Sequence, residues 1–314
     1  MKVAIIGTGN VGKAVFHDLQ HVNMIRKITL IDRNKKKAEA EVADAKDAAI
    51  LWEGYGPKLD FGGYEKTKGA DIIVYTAGSS KVEAEDRMEM LHSNCVIAEE
   101  VFTEINRYNQ DAIIVCVTNP LDVITMKIQQ VTGRDPRKVI GTGTLLDTAR
   151  LVRIVAELLE ISNQQIYIPV VGEHGASAVS LLSTFRIMGM TMDDYLKSVI
   201  DTDADLNVKA LENTFKKGGW RIVSGKGYTS TGVSAAVCRV VANIAADTRE
   251  ILPVSSVLQG EYGVRGVAAS VPSVIGRNGI EEIHEVMMTD EERDAFLISV
   301  DTIRQAAKSE GIIV

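Results

Sequence analysis

The feature that most constrains the fold is a glycine-rich turn, Gly7-Thr8-Gly9-Asn10-Val11-Gly12, near the start of the chain. The apolar run Lys2–Ile6 before it predicts a short β-strand, and Asn10–Val22 after it has apolar residues at helical spacing. Such glycines permit a tight turn and a close approach of the backbone to a pyrophosphate, which then lies at the positive end of the helix. The turn therefore predicts a dinucleotide site formed by Gly7, Gly9, Asn10, Val11 and Gly12, although an ordinary tight turn would also use these glycines.

The second predicted strand indicates which dinucleotide binds. Lys27–Ile31 ends at Asp32, twenty residues beyond Gly12. A carboxylate there can accept hydrogen bonds from ribose hydroxyls and would repel a 2′-phosphate, which favours NAD over NADP. Arg33 could soften this discrimination, and a solvated strand end is the alternative interpretation of Asp32. A later strand ends in Thr76-Ala77-Gly78, where the backbone could also approach the cofactor, but a simple strand-ending turn explains Gly78 nearly as well.

Strand-like and helix-like segments alternate through the first half of the chain, which predicts a doubly wound parallel sheet of the Rossmann type. After Gly141-Thr142-Gly143-Thr144 the pattern becomes mixed α+β. We therefore expect an NAD-binding domain in residues 1–141 and an α+β substrate domain in residues 142–314. The further elements predicted in the first half are strands Asp71–Thr76, Ala112–Val117 and Lys138–Ile140 and helices Lys35–Leu51 and Met88–Tyr108. Those predicted in the second half are strands Gln165–Val171 and Val179–Ile187, helices Leu145–Glu160, Ser234–Leu252 and Glu291–Lys308, and an amphipathic stretch Met192–Lys217.

Composition excludes several classes of protein. With 314 residues and 46% hydrophobic content the chain can bury a substantial core, and a net charge of -7 offers nucleic acid no broad positive field. No run approaches the roughly 18 apolar residues of a membrane span. The opening run Val3–Ile6 is too short for a signal-peptide core, so we expect a cytoplasmic protein with neither membrane nor nucleic-acid partners. The cysteines Cys95, Cys116 and Cys238 are interpreted as free thiols, and no Cys or His spacing suggests a metal site.

Three residues of the second half suggest acid–base chemistry on an anionic substrate. His174 lies in Gly172-Glu173-His174-Gly175, directly after an apolar run, as expected of a loop at a strand end. A histidine titrates near neutrality, so it can give a proton to a nascent alkoxide and take it back. Asp147 and Arg150 are three residues apart and share a helix face; Asp147 could hold the His174 ring while Arg150 clamps a carboxylate. A structural histidine and a surface salt bridge remain the simpler alternatives.

The whole chain resembles the lactate/malate dehydrogenase family, and within it the L-lactate and L-2-hydroxyisocaproate dehydrogenases most. Several motifs in the right order are far more specific than any one of them. The matching segments are Gly7–Gly12, Asp32, Thr76-Ala77-Gly78, Asp86-Arg87, Thr118-Asn119-Pro120-Leu121-Asp122, Leu146-Asp147-Thr148-Ala149-Arg150, Gly172-Glu173-His174-Gly175 and Lys226-Gly227-Tyr228-Thr229-Ser230.

The resemblance implies a reversible hydride transfer between NADH and a 2-oxo acid, with His174 as proton donor and acceptor, Asp147 as its partner and Arg150 as the carboxylate clamp. It also implies that Arg87 follows a loop, Ser79–Asp86, that closes over substrate and brings the guanidinium to the carbonyl oxygen. Two further residues are implied as substrate-binding: Asn119 near the reacting oxygen, which also contacts the cofactor, and Thr229 in the side-chain pocket. A homodimer or a homotetramer is expected.

The chain departs from the family pattern at a few positions. Ala176 follows Gly175 where lactate dehydrogenases commonly carry Asp. Val152 and Tyr167 stand where allosteric bacterial enzymes have the Arg and His that bind fructose 1,6-bisphosphate, so that regulatory site is expected to be absent. Lys81 stands where lactate dehydrogenases usually have Gln and malate dehydrogenases have Arg.

Lys81 leaves the choice of substrate open. A lysine could meet a second carboxylate but lacks the rigid fork of arginine, and it could equally be a solvated loop residue. Gly227-Tyr228-Thr229-Ser230 and the apolar Val82 favour 2-oxo monocarboxylates, pyruvate or its longer aliphatic homologues. Malate dehydrogenase is the alternative within this class of enzyme. An NAD-sensing protein without catalysis is the alternative from another class, since a Rossmann domain does not require a reaction.

Overall fold

A computed structural model describes residues 1–51, 56–79, 87–200, 214–216 and 218–313. The predicted Rossmann half is present. Its elements are β1 (Lys2–Ile6), α1 (Asn10–Asp18), β2 (Lys27–Ile31), α2 (Lys35–Leu51), β3 (Lys58–Gly62), β4 (Ile72–Tyr75), α3 (Arg87–Ile105), β5 (Ile113–Cys116), α4 (Leu121–Thr132) and β6 (Val139–Gly141). The predicted helix Asn10–Val22 is therefore shorter than expected, because α1 gives way at Leu19 to a 3₁₀ turn.

The second half combines helices with short and long strands. Its elements are α5 (Leu145–Leu159), β7 (Ile166–Tyr167), β8 (Val170–Val171), β9 (Val179–Ser180), β10 (Arg186–Ile187), α6 (Met192–Tyr195), α7 (Gly218–Lys226), α8 (Thr231–Ala246), β11 (Glu250–Gln259), β12 (Arg265–Gly276), β13 (Gly279–Ile283) and α9 (Asp290–Ser309). Most of the predicted amphipathic stretch 192–217 lies outside the described residues; its described start forms α6 and the π-helical turn Leu196–Ile200.

One nine-stranded sheet organises the molecule, in the order β13-β12-β11-β6-β5-β4-β1-β2-β3. The six strands of the first half are parallel, in the order 3-2-1-4-5-6 that defines a Rossmann fold. Ile72–Tyr75 and Ile113–Cys116 are buried throughout, as expected of parallel strands covered on both faces by helices. The expected doubly wound α/β class is confirmed.

The three long strands of the second half join the Rossmann sheet, whereas β7 pairs with β10 and β8 with β9 in two small separate sheets. β11 pairs antiparallel with β6 through Ser255 and Gly141, and β12 and β13 extend the sheet beyond it. Helix α8 packs against α1, where the Ser234 hydroxyl donates to Asp18 Oδ2 at 2.6 Å. The halves therefore share one sheet and its two buried faces, while a smaller core lies between α5 and the short strands β7 to β10.

Three secondary-structure predictions in the second half are wrong in extent. The helix predicted to reach Leu252 ends at Ala246, because Asp247 and Arg249 adopt left-handed conformations, and Leu252 lies buried in β11. The predicted strand Gln165–Val171 is divided into β7 and β8, which pair with different partners.

The predicted strand Val179–Ile187 is likewise divided, into β9 and β10, by a 3₁₀ turn. In both cases the apolar run forms strands as expected, but the strand divides because its two parts pair with different strands. The spacing of apolar residues does not indicate where such a division falls. No helix among the described residues is long and apolar enough to cross a bilayer.

Candidate active site

The glycine-rich turn lies at the carboxyl ends of β1 and β4, where a doubly wound sheet binds its ligand. Gly7 has φ +105°, and a Cβ on Gly12 would lie 2.1 Å from the Gly7 carbonyl oxygen, so neither position accepts a side chain. A Cβ on Gly9 would meet nothing within 4 Å. Gly9 thus faces open space at the start of α1, where no side chain caps the helix. The turn fits a pyrophosphate at that place.

The second strand end closes the same turn. Thr76 donates its hydroxyl to the Ile6 carbonyl at 3.0 Å, and Gly7 packs directly against Thr76 and Ala77. A Cβ on Gly78 would lie 2.7 Å from the Thr118 methyl group, so packing alone accounts for this glycine. Thr76 and Ala77 therefore border the predicted cofactor site, whereas Gly78 has a sufficient structural reason to be glycine.

Asp32 is held firmly beside the turn. Its Oδ2 accepts hydrogen bonds from the backbone N–H and the hydroxyl of Thr8, both at 2.7 Å, and its Oδ1 accepts from Asn34 N at 2.8 Å. Partial burial by itself raises the pKa of Asp32, but these hydrogen bonds and the charge of Lys37 outweigh it, and the pKa lies below its usual value. Asp32 is therefore a fixed anion that fits a free ribose and opposes a 2′-phosphate.

Three of the predicted site residues, His174, Asp147 and Arg150, come together beyond the carboxyl end of β6. Asp147 lies in the first turn of α5, and the loop after β8 brings His174 to it, with 2.7 Å between His174 Nδ1 and Asp147 Oδ2. Arg150 Nη1 donates to Asp147 Oδ1 at 2.9 Å. The side chains of Asp147 and Arg150 are only 9% and 14% exposed, so the pair is not the surface salt bridge that its spacing allowed.

The electrostatics favour the protonated form of His174. Burial by itself lowers the pKa of the imidazole, but the hydrogen bond and charge of Asp147, together with the charge of Asp122, outweigh it, and the pKa lies above its ordinary value. The nearby Arg150 opposes this shift. The arrangement therefore favours a protonated ring, and none of the described residues hydrogen-bonds to its Nε2.

Asp122 is a functional neighbour that residue patterns did not single out. Its Oδ2 accepts the backbone N–H of His174 at 2.8 Å, and its Oδ1 accepts the Ser255 hydroxyl at 2.6 Å. Burial raises the pKa of Asp122 to about 6, although both hydrogen bonds act in the opposite direction. In the sequence, Asp122 is visible as the last residue of the motif Asn119–Asp122. An acidic residue in the first turn of a helix is too common to predict that it contacts His174 and Ser255.

A cavity of about 230 Å³ gathers most of the predicted substrate residues. His174, Arg150, Asn119 and Thr229 line it. Asn94, which is buried, fixes Asn119 by donating to its carbonyl oxygen at 2.7 Å. Lys81 lies outside the described residues, as does the side chain of Arg87, which begins α3. The cavity thus brings a cation, a proton donor and an amide side chain together around one space.

Comparison with known proteins assigns the family. Residues 1–141 match the lactate/malate dehydrogenase NAD-binding domain, and residues 144–311 match the α/β C-terminal domain of the same family. The chain is 34% identical over 309 residues to L-lactate dehydrogenase 1 of Clostridium acetobutylicum, covering 98% of each chain. It is 36% identical over 300 residues to the L-lactate dehydrogenase of Nitratidesulfovibrio vulgaris, covering 95% of this chain and 96% of that one.

A solved structure agrees with this assignment. The minor L-lactate dehydrogenase of Enterococcus mundtii superposes with a TM-score of 0.93 at 29% identity, and the match covers 98% of both chains. The Rossmann fold, the glycine turn, the histidine–aspartate pair and the largely buried Arg150 are features of an NAD-dependent dehydrogenase. The chain belongs to the lactate/malate dehydrogenase family of NAD-dependent 2-hydroxy acid dehydrogenases. The relatives named here are L-lactate dehydrogenases, so malate dehydrogenase is not the favoured alternative.

Removing the charge of Asp32 is expected to weaken the preference for NAD over NADP. Asp32→Asn keeps an acceptor for Thr8 but no longer repels a 2′-phosphate, so the ratio of kcat/KM values for the two cofactors should narrow about tenfold, equivalent to about 1.4 kcal/mol. Steady-state kinetics with both cofactors measures the ratio. Asp44→Asn, on the exposed side of α2, is the matched control. A wild-type enzyme that used both cofactors equally well would show that Asp32 has been misassigned.

Proposed function

We propose that this enzyme interconverts 2-oxo monocarboxylates and L-2-hydroxy acids, with aliphatic side chains from pyruvate upward as its substrates. The observation that carries the proposal is the single cavity in which Arg150, His174, Asn119 and Thr229 meet. Among its described lining residues Arg150 is the one Arg or Lys, and it provides a partner for one carboxylate. The apolar Leu121, Val223 and Ala236 line the same cavity and favour an aliphatic side chain over the second carboxylate of oxaloacetate.

Arg150 binds the substrate carboxylate. A guanidinium carries five N–H groups, and the hydrogen bond from Nη1 to Asp147 leaves the others for a two-pronged contact with the substrate. Ion pairing with Asp147 also fixes the guanidinium before substrate arrives, which reduces the entropy lost on binding. Asn119 then donates from its amide towards the carbonyl oxygen, and the family resemblance implies that the Arg87 guanidinium binds the same oxygen.

His174 supplies the proton. When bound, the cofactor NADH supplies the hydride to the substrate's C2. In reduction the protonated ring gives its Nε2 proton to the developing alkoxide, and Asp147 stabilises the charged ring and fixes its orientation through Nδ1. In oxidation the neutral ring accepts the hydroxyl proton. Asp122 holds the backbone of His174 so that the ring keeps its place through the cycle.

Two glycines of α7 make room for the substrate side chain. A Cβ on Gly218 would lie 3.3 Å from Arg150 Cδ, and one on Gly219 would lie 3.6 Å from Arg150 Nη2. Gly219 lines the 230 Å³ cavity together with the apolar Val223 and Ala236. Gly218 and Gly219 are the first two residues of α7, and they lie directly against the clamp. We infer that they leave space for a branched aliphatic side chain beside Arg150.

The substrate proposal predicts that 4-methyl-2-oxopentanoate and pyruvate are reduced with higher kcat/KM than oxaloacetate. It further predicts that Gly219→Ala lowers kcat/KM for the branched substrate about tenfold more than for pyruvate, because the added methyl group occupies the side-chain space. Gly225→Ala is the matched control, since it lies on the same helix with nothing within 4 Å of its Cβ. If oxaloacetate is preferred and Lys81→Gln abolishes that preference, the enzyme is a malate dehydrogenase.

We propose in addition that the protein is a cytoplasmic homodimer or homotetramer with an NAD-binding domain in residues 1–141 and a substrate domain in residues 142–314. The exposed Tyr167 and Ile251 beside an apolar cavity of about 160 Å³ support a subunit contact. Val152 and Tyr167 line that cavity, whose described lining residues include no cation to bind a sugar bisphosphate. The absence of activation by fructose 1,6-bisphosphate stays a prediction.

A further inference from the structure

A second and larger space, of about 840 Å³, lies between α5 and α7 and shares Arg150 with the substrate cavity. Besides Arg150, three cationic residues line it: Arg153, Arg221 and Lys226. None of its described lining residues is an Asp or a Glu. This is a local concentration of positive charge in a chain whose net charge is -7.

The cations are arranged in order from the solvent to the substrate clamp. The two helices meet where Gly218 lies against Arg150. One helical turn further along, α5 carries Arg153 and α7 carries Arg221. The side chain of Arg150 is 14% exposed and that of Arg153 is 58% exposed. An anion that enters between α5 and α7 therefore passes the more exposed cations before it reaches Arg150.

The outer cations differ in how far their charge is already neutralised. Arg153 donates to both carboxylate oxygens of Glu157, at 2.6 and 2.7 Å. Among the described residues, Lys226 contacts neutral groups, the Ser230 hydroxyl at 3.0 Å and the ring of Tyr228. Arg221, which is exposed, makes no ion pair with any residue that the structure describes. Within the described part of the chain, Lys226 and Arg221 are therefore the cations of this space without a carboxylate partner.

The walls between these cations are largely apolar. Leu146, Ile154, Phe215 and Ile222 line the same space. Low-dielectric walls concentrate the field of nearby charges into the gap instead of letting it spread through water, so cations there attract an anion over a longer range than they would on an open surface.

We propose that Arg221 and Lys226, with Arg153 at the rim, form a cationic vestibule that draws 2-oxo acid anions from solvent to Arg150. This rests on the proposed function, because it assumes that the substrate is an anion held by Arg150. The vestibule raises the local substrate concentration and so acts on kcat/KM. It offsets the repulsion that a net charge of -7 exerts on an anionic substrate.

The test compares Arg221→Glu with wild type over a range of ionic strength, with pyruvate and 4-methyl-2-oxopentanoate as probes. At about 10 mM salt, where the Debye length is about 30 Å, we expect kcat/KM to be five- to tenfold lower in the variant, at about the same kcat. The difference should shrink towards none at about 1 M salt. Arg265→Glu is the matched control: it makes the same charge change at an exposed arginine of β12 that lines a different cavity.

The outcomes separate the vestibule from the reaction itself. An equal loss in Arg265→Glu, or the same salt dependence in wild type and Arg221→Glu, would overturn the vestibule while leaving the dehydrogenase intact. Failure of the wild type to reduce any 2-oxo acid would overturn the proposed function instead. A salt-sensitive loss confined to Arg221→Glu, and deepened by adding Lys226→Glu, supports the vestibule.

Discussion

Replacing His174 with asparagine is expected to lower kcat for the reduction of 2-oxo acids by about a hundredfold or more, with a much smaller change in KM. The asparagine amide can still donate to Asp147, so the buried carboxylate keeps a partner, but it cannot release a proton to the alkoxide. Steady-state kinetics with NADH and pyruvate measures the loss. Near-wild-type turnover in this variant would remove the proposed mechanism.

A control variant and a pH profile strengthen this test. His17→Asn replaces a more exposed histidine that pairs with Glu41 on a neighbouring helix, and it should retain full activity. Because Asp147 and Asp122 hold the pKa of His174 above its ordinary value, the charged ring persists to higher pH than that of an ordinary histidine. The wild-type reduction rate should therefore fall as pH rises through that raised pKa. His174→Asn should not show this fall.

Replacing Arg150 with alanine is expected to act mainly on binding, lowering kcat/KM by about a hundredfold or more through a large rise in KM. Two charge-assisted hydrogen bonds to the substrate carboxylate are lost, each worth about 1.5–3 kcal/mol, and the substrate is no longer aligned with His174. Measuring KM and kcat separately distinguishes this from the loss in His174→Asn.

Two further variants test whether the loss in Arg150→Ala comes from the charge alone or from a general effect of removing an arginine. Arg150→Lys keeps the charge but not the fork, so its kcat/KM should lie between those of wild type and Arg150→Ala. Arg304→Ala, near the end of α9, removes an arginine whose ion pair among the described residues is with Asp301, and it should have no effect. Thermal unfolding of each variant shows whether the loss of the Asp147 ion pair has destabilised the fold. An unchanged KM in Arg150→Ala would refute the clamp.

The parts of the site with short-range signals were predictable. The turn Gly7–Gly12 and Asp32 follow from strand, glycine and helix signals that lie within about thirty residues of one another, and the structure places them as expected. Asp147 and Arg150 share a helix face by their spacing alone. The family resemblance gave these residues their proposed roles and joined them to His174.

Contacts between distant segments were not predictable from patterns. Asp122 accepts a hydrogen bond from Ser255, 133 positions later in the chain, and no pattern in the sequence around either residue predicts this contact. β11 to β13 were missed because antiparallel strands added to the edge of a Rossmann sheet have no signature separate from other apolar runs. The role of Gly218 and Gly219 likewise becomes visible only where α7 crosses Arg150.

The sequence by itself determined the strand–turn–helix that fits a dinucleotide, the acidic residue proposed to favour NAD, and the residue types that proton transfer and carboxylate binding need. Only the tertiary structure decided that His174 and Asp147, 27 residues apart, share a hydrogen bond, and that Arg150 is largely buried rather than solvated. The reason is physical. Local spacing fixes which side chains share a face of one element, whereas burial, proton affinity and cavity shape depend on which elements pack together.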